Sequence, residues 1–172
     1  MSDTSKLPVL LLDVDGVLNA SRAGWSEAPR AGWATCAGVR FRMRWSPKLM
    51  TRLCALHASN TVEIQWATSW VGETSQLETL FGLPTFPDAL LTSAAVAGRE
   101  ITSIADIQAA KRAAALDVVS ADRRLIWVDD EAFSGNWPPR AFIEADGHLL
   151  IQPKPSRGLR PEDMDRIELF LR

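Results

Sequence analysis

Residues 9–14, Val-Leu-Leu-Leu-Asp-Val, are apolar except for Asp13 and run straight into Asp15-Gly16. A hydrophobic run without alternation is what a strand buried on both faces needs, and such strands belong to parallel sheets covered by helices on each side. Its abrupt end at Asp13 marks it as a core strand rather than a signal peptide. Later segments repeat the pattern of strand followed by polar end. Residues 62–67 lead into Thr68-Ser69, residues 124–128 lead into Asp129-Asp130-Glu131, and residues 149–152 form a last short strand before Pro153. Helices fall between them. Ser46-Pro47 offers an N-cap and a first-turn proline, and Leu49, Met50, Leu53 and Leu56 then form an apolar stripe. A short helix is expected over 73–81, closed by Gly82, and Ser103 caps another over about 104–116. An amphipathic helix over 161–171, with Ile167 and Phe170 facing in, closes the chain. Strands alternating with helices predict an α/β fold. Its 172 residues suffice for one domain, and no repeat or interdomain linker divides residues 1–172.

In open α/β sheets, ligands bind at the carboxyl ends of the strands. That topology would bring Asp13, Asp15, Thr68, Asp129 and Asp130 together, far apart as they are in sequence. Carboxylates packed together repel and resist ionisation, and a divalent cation removes the conflict. Carboxylate oxygens suit Mg2+, which keeps several waters and accepts a substrate phosphate as a further ligand. Asp13 and Asp15, two apart at a strand end, point to one side. One can then attack phosphorus while the other handles the proton, and carboxylate nucleophiles forming aspartyl-phosphate are an established route. Gly16 lets the backbone turn sharply away. Lys111, on the helix before the third strand, supplies a positive charge against the aspartate and the transferring phosphoryl group. Each fragment alone has an ordinary explanation: an Asp-Gly turn, a loop start, a helix cap. The ordered set points to chemistry.

Asp13-Val14-Asp15-Gly16-Val17-Leu18-Asn19 resembles the first motif of the haloacid dehalogenase (HAD) superfamily. Thr68 resembles the second, Lys111 the third and Val128-Asp129-Asp130-Glu131 the fourth. Trp66-Ala67-Thr68-Ser69-Trp70, Ile126-Trp127-Val128-Asp129-Asp130-Glu131 and Pro155-Ser156-Arg157-Gly158-Leu159 further resemble the small HAD domain of Swiss Army knife RNA-repair proteins. The resemblance implies a Rossmann-like HAD core, a central parallel sheet flanked by helices, and a Mg2+-dependent phosphomonoester hydrolase. Asp13 would be nucleophile and metal ligand. Asp15 would be general acid and then general base, with its backbone carbonyl on the metal. Thr68 would hydrogen-bond the phosphoryl oxygens, with Ser69 in its place if the strand ends one residue later. Lys111, which Arg112 adjoins, would hold Asp13 and phosphate. Asp130, with or without Asp129, would hold Mg2+ directly or through water. Val17 stands where many relatives carry Thr, a departure that leaves the carboxylates intact. Asp15 favours phosphate hydrolysis over dehalogenation. The order Lys111, then Asp129-Asp130, separates the chain from phosphorylation-receiver domains, whose acidic pair comes early and whose lysine comes late.

Residues 17–45 are enough for a hairpin-like flap but not for a folded cap domain. An open site of this kind suits a macromolecular end, such as an RNA or DNA terminal phosphate, better than a lidded one would. Val39-Arg40-Phe41-Arg42-Met43-Arg44-Trp45 alternates strictly, so Arg40, Arg42 and Arg44 share one side of a half-exposed strand. With Gly16 and Ser69 they are the candidate substrate contacts, reaching a phosphate backbone. A solvated face, or an edge guarded by charge, is the plainer account of the arginines. Trp25, Trp33 and Trp45 are read as flap packing before base stacking. Net charge is −2 with a pI near 5.7, so any polyanion-binding surface must be local. Cys36 and Cys54 read as reduced thiols of a cytoplasmic protein, His57 and His148 make no ligand pair, and no apolar stretch spans a bilayer. An active phosphatase, a HAD-like binding module without turnover and a small-molecule nucleotidase are the three functions to be separated.

Overall fold

The computed structural model describes residues 7–92, 103–131 and 147–172. Its strands are β1 (Val9–Leu12), β2 (Arg30–Cys36), β3 (Val39–Trp45), β4 (Glu63–Trp66), β5 (Leu125–Val128) and β6 (Leu149–Ile151). Its helices are α1 (Pro47–Ala58), α2 (Thr74–Phe81), α3 (Ala89–Thr92), α4 (Ile104–Ser120) and α5 (Pro161–Phe170). Strands β4, β1, β5 and β6, in that spatial order, make a parallel sheet. This is the α/β core that the alternation of strands and helices predicts.

The unbroken apolar runs follow from burial on both faces. Leu10, Leu12, Ile64, Trp66, Ile126, Val128 and Ile151 look into a cluster with α1, α2, α5 and part of β3. Val9, Leu11, Leu125, Trp127 and Leu150 look the other way, onto α3 and α4. Helix α4 presents Ala110, Ala114, Ala115 and Val118 to the sheet, and these small side chains let it approach closely. Ser103 caps it as expected, its hydroxyl accepting the Asp106 amide at 3.1 Å. The helix runs four residues past the expected end at Leu116. Leu116 is 48% exposed, and the last anchor is Val118, about one turn on from Ala114. Helix α2 is tied to β4 by the buried Glu78, which accepts the Trp66 indole N–H at 2.9 Å and the Phe86 amide at 2.8 Å.

Strands β2 and β3 form an antiparallel hairpin turned by Ala37 and Gly38, both at positive φ (48° and 77°). Two left-handed residues are what a two-residue hairpin turn requires. The hairpin is clamped. Thr35 donates to Gln76 Oε1 at 2.7 Å, Gln76 Nε2 donates to the Thr35 carbonyl at 2.6 Å, and the Ala37 amide donates to Glu73 at 3.0 Å. Trp45 packs against Phe81 with ring centroids 5.1 Å apart. Among the described residues, no helix is long and apolar enough to cross a membrane.

Candidate active site

The register of the sheet builds the site. Leu12 of β1 pairs with Val128 on one side and with Trp66 on the other. Asp13 and Asp129 are therefore the first residues beyond two neighbouring strands, and Thr68 lies two beyond the third. Lys111 projects between the two aspartates from the sheet-facing side of α4. Its Nζ donates to Asp13 Oδ2 at 2.6 Å and to Asp129 Oδ2 at 2.7 Å. All three side chains are almost wholly buried. The second Asp13 oxygen accepts the Val14 amide at 2.7 Å.

Asp13, Asp129 and Asp130 each offer a carboxylate oxygen, and these lie within 4.8 Å of one another. Asp129 is fully buried and is tied to Lys111 and to the Glu131 amide, at 2.9 Å. Asp130 is half-buried and lines the cavity with Asp13, Asp15, Gly16, Ser69 and Lys111. Burial pushes the Asp13 carboxyl up to about 7, with the Asp129 charge adding to the rise and Lys111 opposing it. Burial, then the charges of Asp129 and Glu131, pushes Asp130 up to about 6. Burial works to lower the Lys111 ammonium, but Asp13 and Asp129 outweigh it and hold its pKa above the ordinary value. Burial thus makes full ionisation of Asp13 and Asp130 costly with one lysine beside them.

The donor set fits a hard divalent cation: three carboxylates, oxygen only, converging beside a cavity. Gly16 keeps that space open. It sits at φ 71°, and a Cβ there would lie 2.1 Å from Asp130 Oδ2.

Asp15 is held apart from the trio. Its carboxylate is exposed at the cavity mouth and takes hydrogen bonds from Asn19 Nδ2 at 2.7 Å and the Trp70 indole N–H at 2.9 Å. Asn19 also accepts the Arg44 amide of β3 at 2.9 Å, linking Asp15 to the hairpin. Phe41 packs edge-on against Trp70, with centroids 5.6 Å apart. Sequence reasoning named Asn19 and Trp70 but assigned neither this task. The late loop is fastened to the same turn. Leu159 donates to the Val17 carbonyl at 2.8 Å, and a Cβ on Gly158 would strike that carbonyl at 2.4 Å.

Thr68 is fully buried, its Oγ1 3.5 Å from the Trp70 amide, whereas Ser69 lines the cavity. Arg42 and Arg44 line a groove that shares Asp15 and Gly16 with the cavity. Arg40 instead lies over the Trp33 ring at 4.6 Å. Trp25 donates to the Leu159 carbonyl at 2.9 Å and Trp45 is buried, while Trp33 is 53% exposed. His148 accepts the Leu125 amide and His57 stacks on Phe86, so each is engaged within the fold.

A parallel sheet with Asp-x-Asp-Gly at the end of an inner strand, a lysine bridging to the next strand, and an acidic pair beyond that strand define a HAD-type domain. A family model described as the HAD domain in Swiss Army Knife RNA repair proteins matches residues 9–164, and the chain belongs to that family. No curated protein and no solved structure matches it. HAD domains are generally hydrolases that use Mg2+.

Proposed function

We propose that this chain is a Mg2+-dependent phosphomonoester hydrolase that passes the phosphoryl group through Asp13, with nucleic-acid terminal phosphates as substrates. The observation that carries the proposal is the convergence of Asp13, Asp129 and Asp130 to within 4.8 Å beside a cavity that also opens on Asp15. Asp13, Asp130 and Asp129 would hold the cation, together with the Asp15 backbone carbonyl. A bound Mg2+ would neutralise charge on the phosphate and draw it towards the nucleophile. An Asp13 oxygen attacks phosphorus, a P–O bond forms, and the bond to the leaving oxygen breaks. Asp15 gives that oxygen a proton, so that an alcohol departs. Asp15 then takes a proton from water as the water attacks phosphorus, releasing phosphate and restoring the Asp13 carboxylate. Lys111 orients Asp13 and balances its charge, and the hydroxyl of Ser69 or Thr68 binds the phosphoryl oxygens. The RNA-repair association of the family and the open groove beside Asp15 support a nucleic-acid end as substrate. Retention of the whole acidic set supports turnover over a binding-only module. Hydrolysis of an aryl phosphate and of phosphorylated oligonucleotides, with Mg2+ and with chelator, tests the proposal. No cation-dependent turnover on any of them would end it.

Cation binding requires ionised carboxylates. With Asp13 raised to about 7 and Asp130 to about 6, protons compete with Mg2+ across that range. The rise in Tm on adding Mg2+ is expected to be several degrees at pH 8 and to vanish towards pH 5.5. Differential scanning fluorimetry measures it, and equal shifts at both pH values would remove these carboxylates as ligands.

Trp70→Phe keeps a ring against Phe41 but deletes the N–H that holds Asp15. It is expected to lower kcat by about tenfold, a fraction of the ~10²–10⁴ that a placed general acid–base group contributes. The loss should be larger for an alkyl phosphate, whose leaving oxygen needs a proton, than for an aryl phosphate with a good leaving group. Equal losses on the two substrates would make Trp70 a packing residue only.

A further inference from the structure

The groove beside the cavity is lined by Asp15, Gly16, Asn19, Arg42, Arg44 and Ser156, among others. It meets the catalytic cavity at Asp15, the group that must stand at the leaving oxygen. The groove offers an exit from the cavity for whatever is attached to that oxygen. We infer that Arg42 and Arg44 grip the phosphodiester next to the terminal phosphate of a single-stranded nucleic acid, so that the site spans two successive phosphates. This rests on the phosphohydrolase function proposed above and adds the subsite that selects a strand end over a lone phosphomonoester.

Three observations carry it. First, part of the hairpin's outer edge is already bonded. Thr35 on the β2 edge is bonded both ways to Gln76, and on β3 Arg44 is met by Asn19 and by the Ala20 amide, which donates to the Arg44 carbonyl at 3.1 Å. At Thr35 and Arg44 charge is not needed to guard the edge. Second, neither arginine is ion-paired with a carboxylate among the described residues. Arg44 Nη1 donates to the Ser21 carbonyl at 3.2 Å, which steadies the guanidinium and leaves donors of its five-donor fork for a ligand. Third, the face continues from Arg42 to its cross-strand partner Trp33, a residue 53% exposed with the Arg40 guanidinium over its ring at 4.6 Å. Directly opposed residues on an antiparallel pair project to the same side. Guanidinium groups followed by an exposed aromatic ring form the surface that single strands bind, with phosphates on the cations and a base on the ring. The clamp on the hairpin presents this surface already formed, which spares the ordering cost of binding.

The test is the affinity of a fluorescein-labelled hexanucleotide, made with a 3′- or a 5′-phosphate, for the Asp13→Asn protein in Mg2+, read by fluorescence anisotropy across a salt series. Adding Arg42→Ala and Arg44→Ala is expected to weaken the tighter of the two complexes by at least about tenfold and to lower its log–log salt slope by about 1.4, two phosphate contacts on a single strand. Arg166→Ala, on the closing helix, should change neither. In the otherwise unmodified protein, the same pair of substitutions should lower the ratio of oligonucleotide to aryl phosphate kcat/KM by at least about tenfold. Affinity, slope and ratio all indifferent to the two arginines would overturn the subsite while leaving the phosphatase standing. Arginine-dependent binding without hydrolysis of any phosphoester would do the reverse, upholding the groove and sinking the enzyme.

Discussion

Asp13→Asn is expected to lower Mg2+-dependent hydrolysis of an aryl phosphate by at least about a thousandfold, the scale seen when a covalent nucleophile is removed. Asn matches Asp in shape, but its amide is a poor nucleophile and cannot accept a phosphoryl group under these conditions. The fold should persist, because the change removes one of two negative charges facing Lys111 and leaves Asp129 as its partner. A second readout separates loss of chemistry from loss of structure. The folded Asp13 carboxyl stands at about 7, above its ordinary value of 3.8. A group raised in this way contributes stability at low pH and loses that contribution as pH climbs through its folded value. Asn imitates the protonated acid and carries no such dependence. Without metal, the Tm of the variant relative to the parent should therefore rise between pH 5 and pH 8. A variant that keeps substantial turnover would show that the phosphoryl group never passes through Asp13.

Much of this site was legible because its parts lie at strand ends, where the change from apolar run to acid is abrupt. The register then does the assembly: Asp13 and Asp129 meet because Leu12 pairs with Val128. The ambiguity between Lys111 and Arg112 also had an answer in helical phase. Residue 111 shares the stripe of Ala110, Ala114, Ala115 and Val118, and one step onward turns about 100° away. Strand β2 was harder. Its sequence, Arg-Ala-Gly-Trp-Ala-Thr-Cys, has no alternation of its own, and the strand exists through pairing with β3 and the grip of Gln76. The support of Asp15 was not legible at all. Trp70 lies 55 positions from Asp15, and nothing local tells an indole N–H whether it will be buried against carbon or aimed at a carboxylate. The same limit hid the difference among the arginines. Alternation places all three on one side, but only the course of the hairpin decides that Arg42 and Arg44 reach the groove while Arg40 lies over Trp33.

Lys111→Met should cost the metal-free protein about 3–5 kcal/mol at pH 8, the usual consequence of removing one partner from a buried ion pair. Met matches the length of the lysine stem and keeps most of its packing beside Ala110 and Ala114, so the loss is electrostatic. Asp13 and Asp129 would then face each other in a space from which water is largely excluded, with no cation between them. For a chain of this size each kcal/mol is worth roughly 2–4 °C, so Tm should fall by about 6–20 °C. Two conditions should relieve the defect, and they distinguish it from a packing fault. Lowering the pH protonates one of the pair and ends the repulsion, so the deficit should shrink towards pH 5. Mg2+ supplies the missing positive charge, so its stabilising effect at pH 8 should be larger in the variant than in the parent. Thermal melts at the two pH values, with and without Mg2+, measure all of this. A deficit equal under every condition would mean that the lysine serves as filling. A variant as stable as the parent at pH 8 would mean that the two aspartates share a proton and never needed the lysine charge.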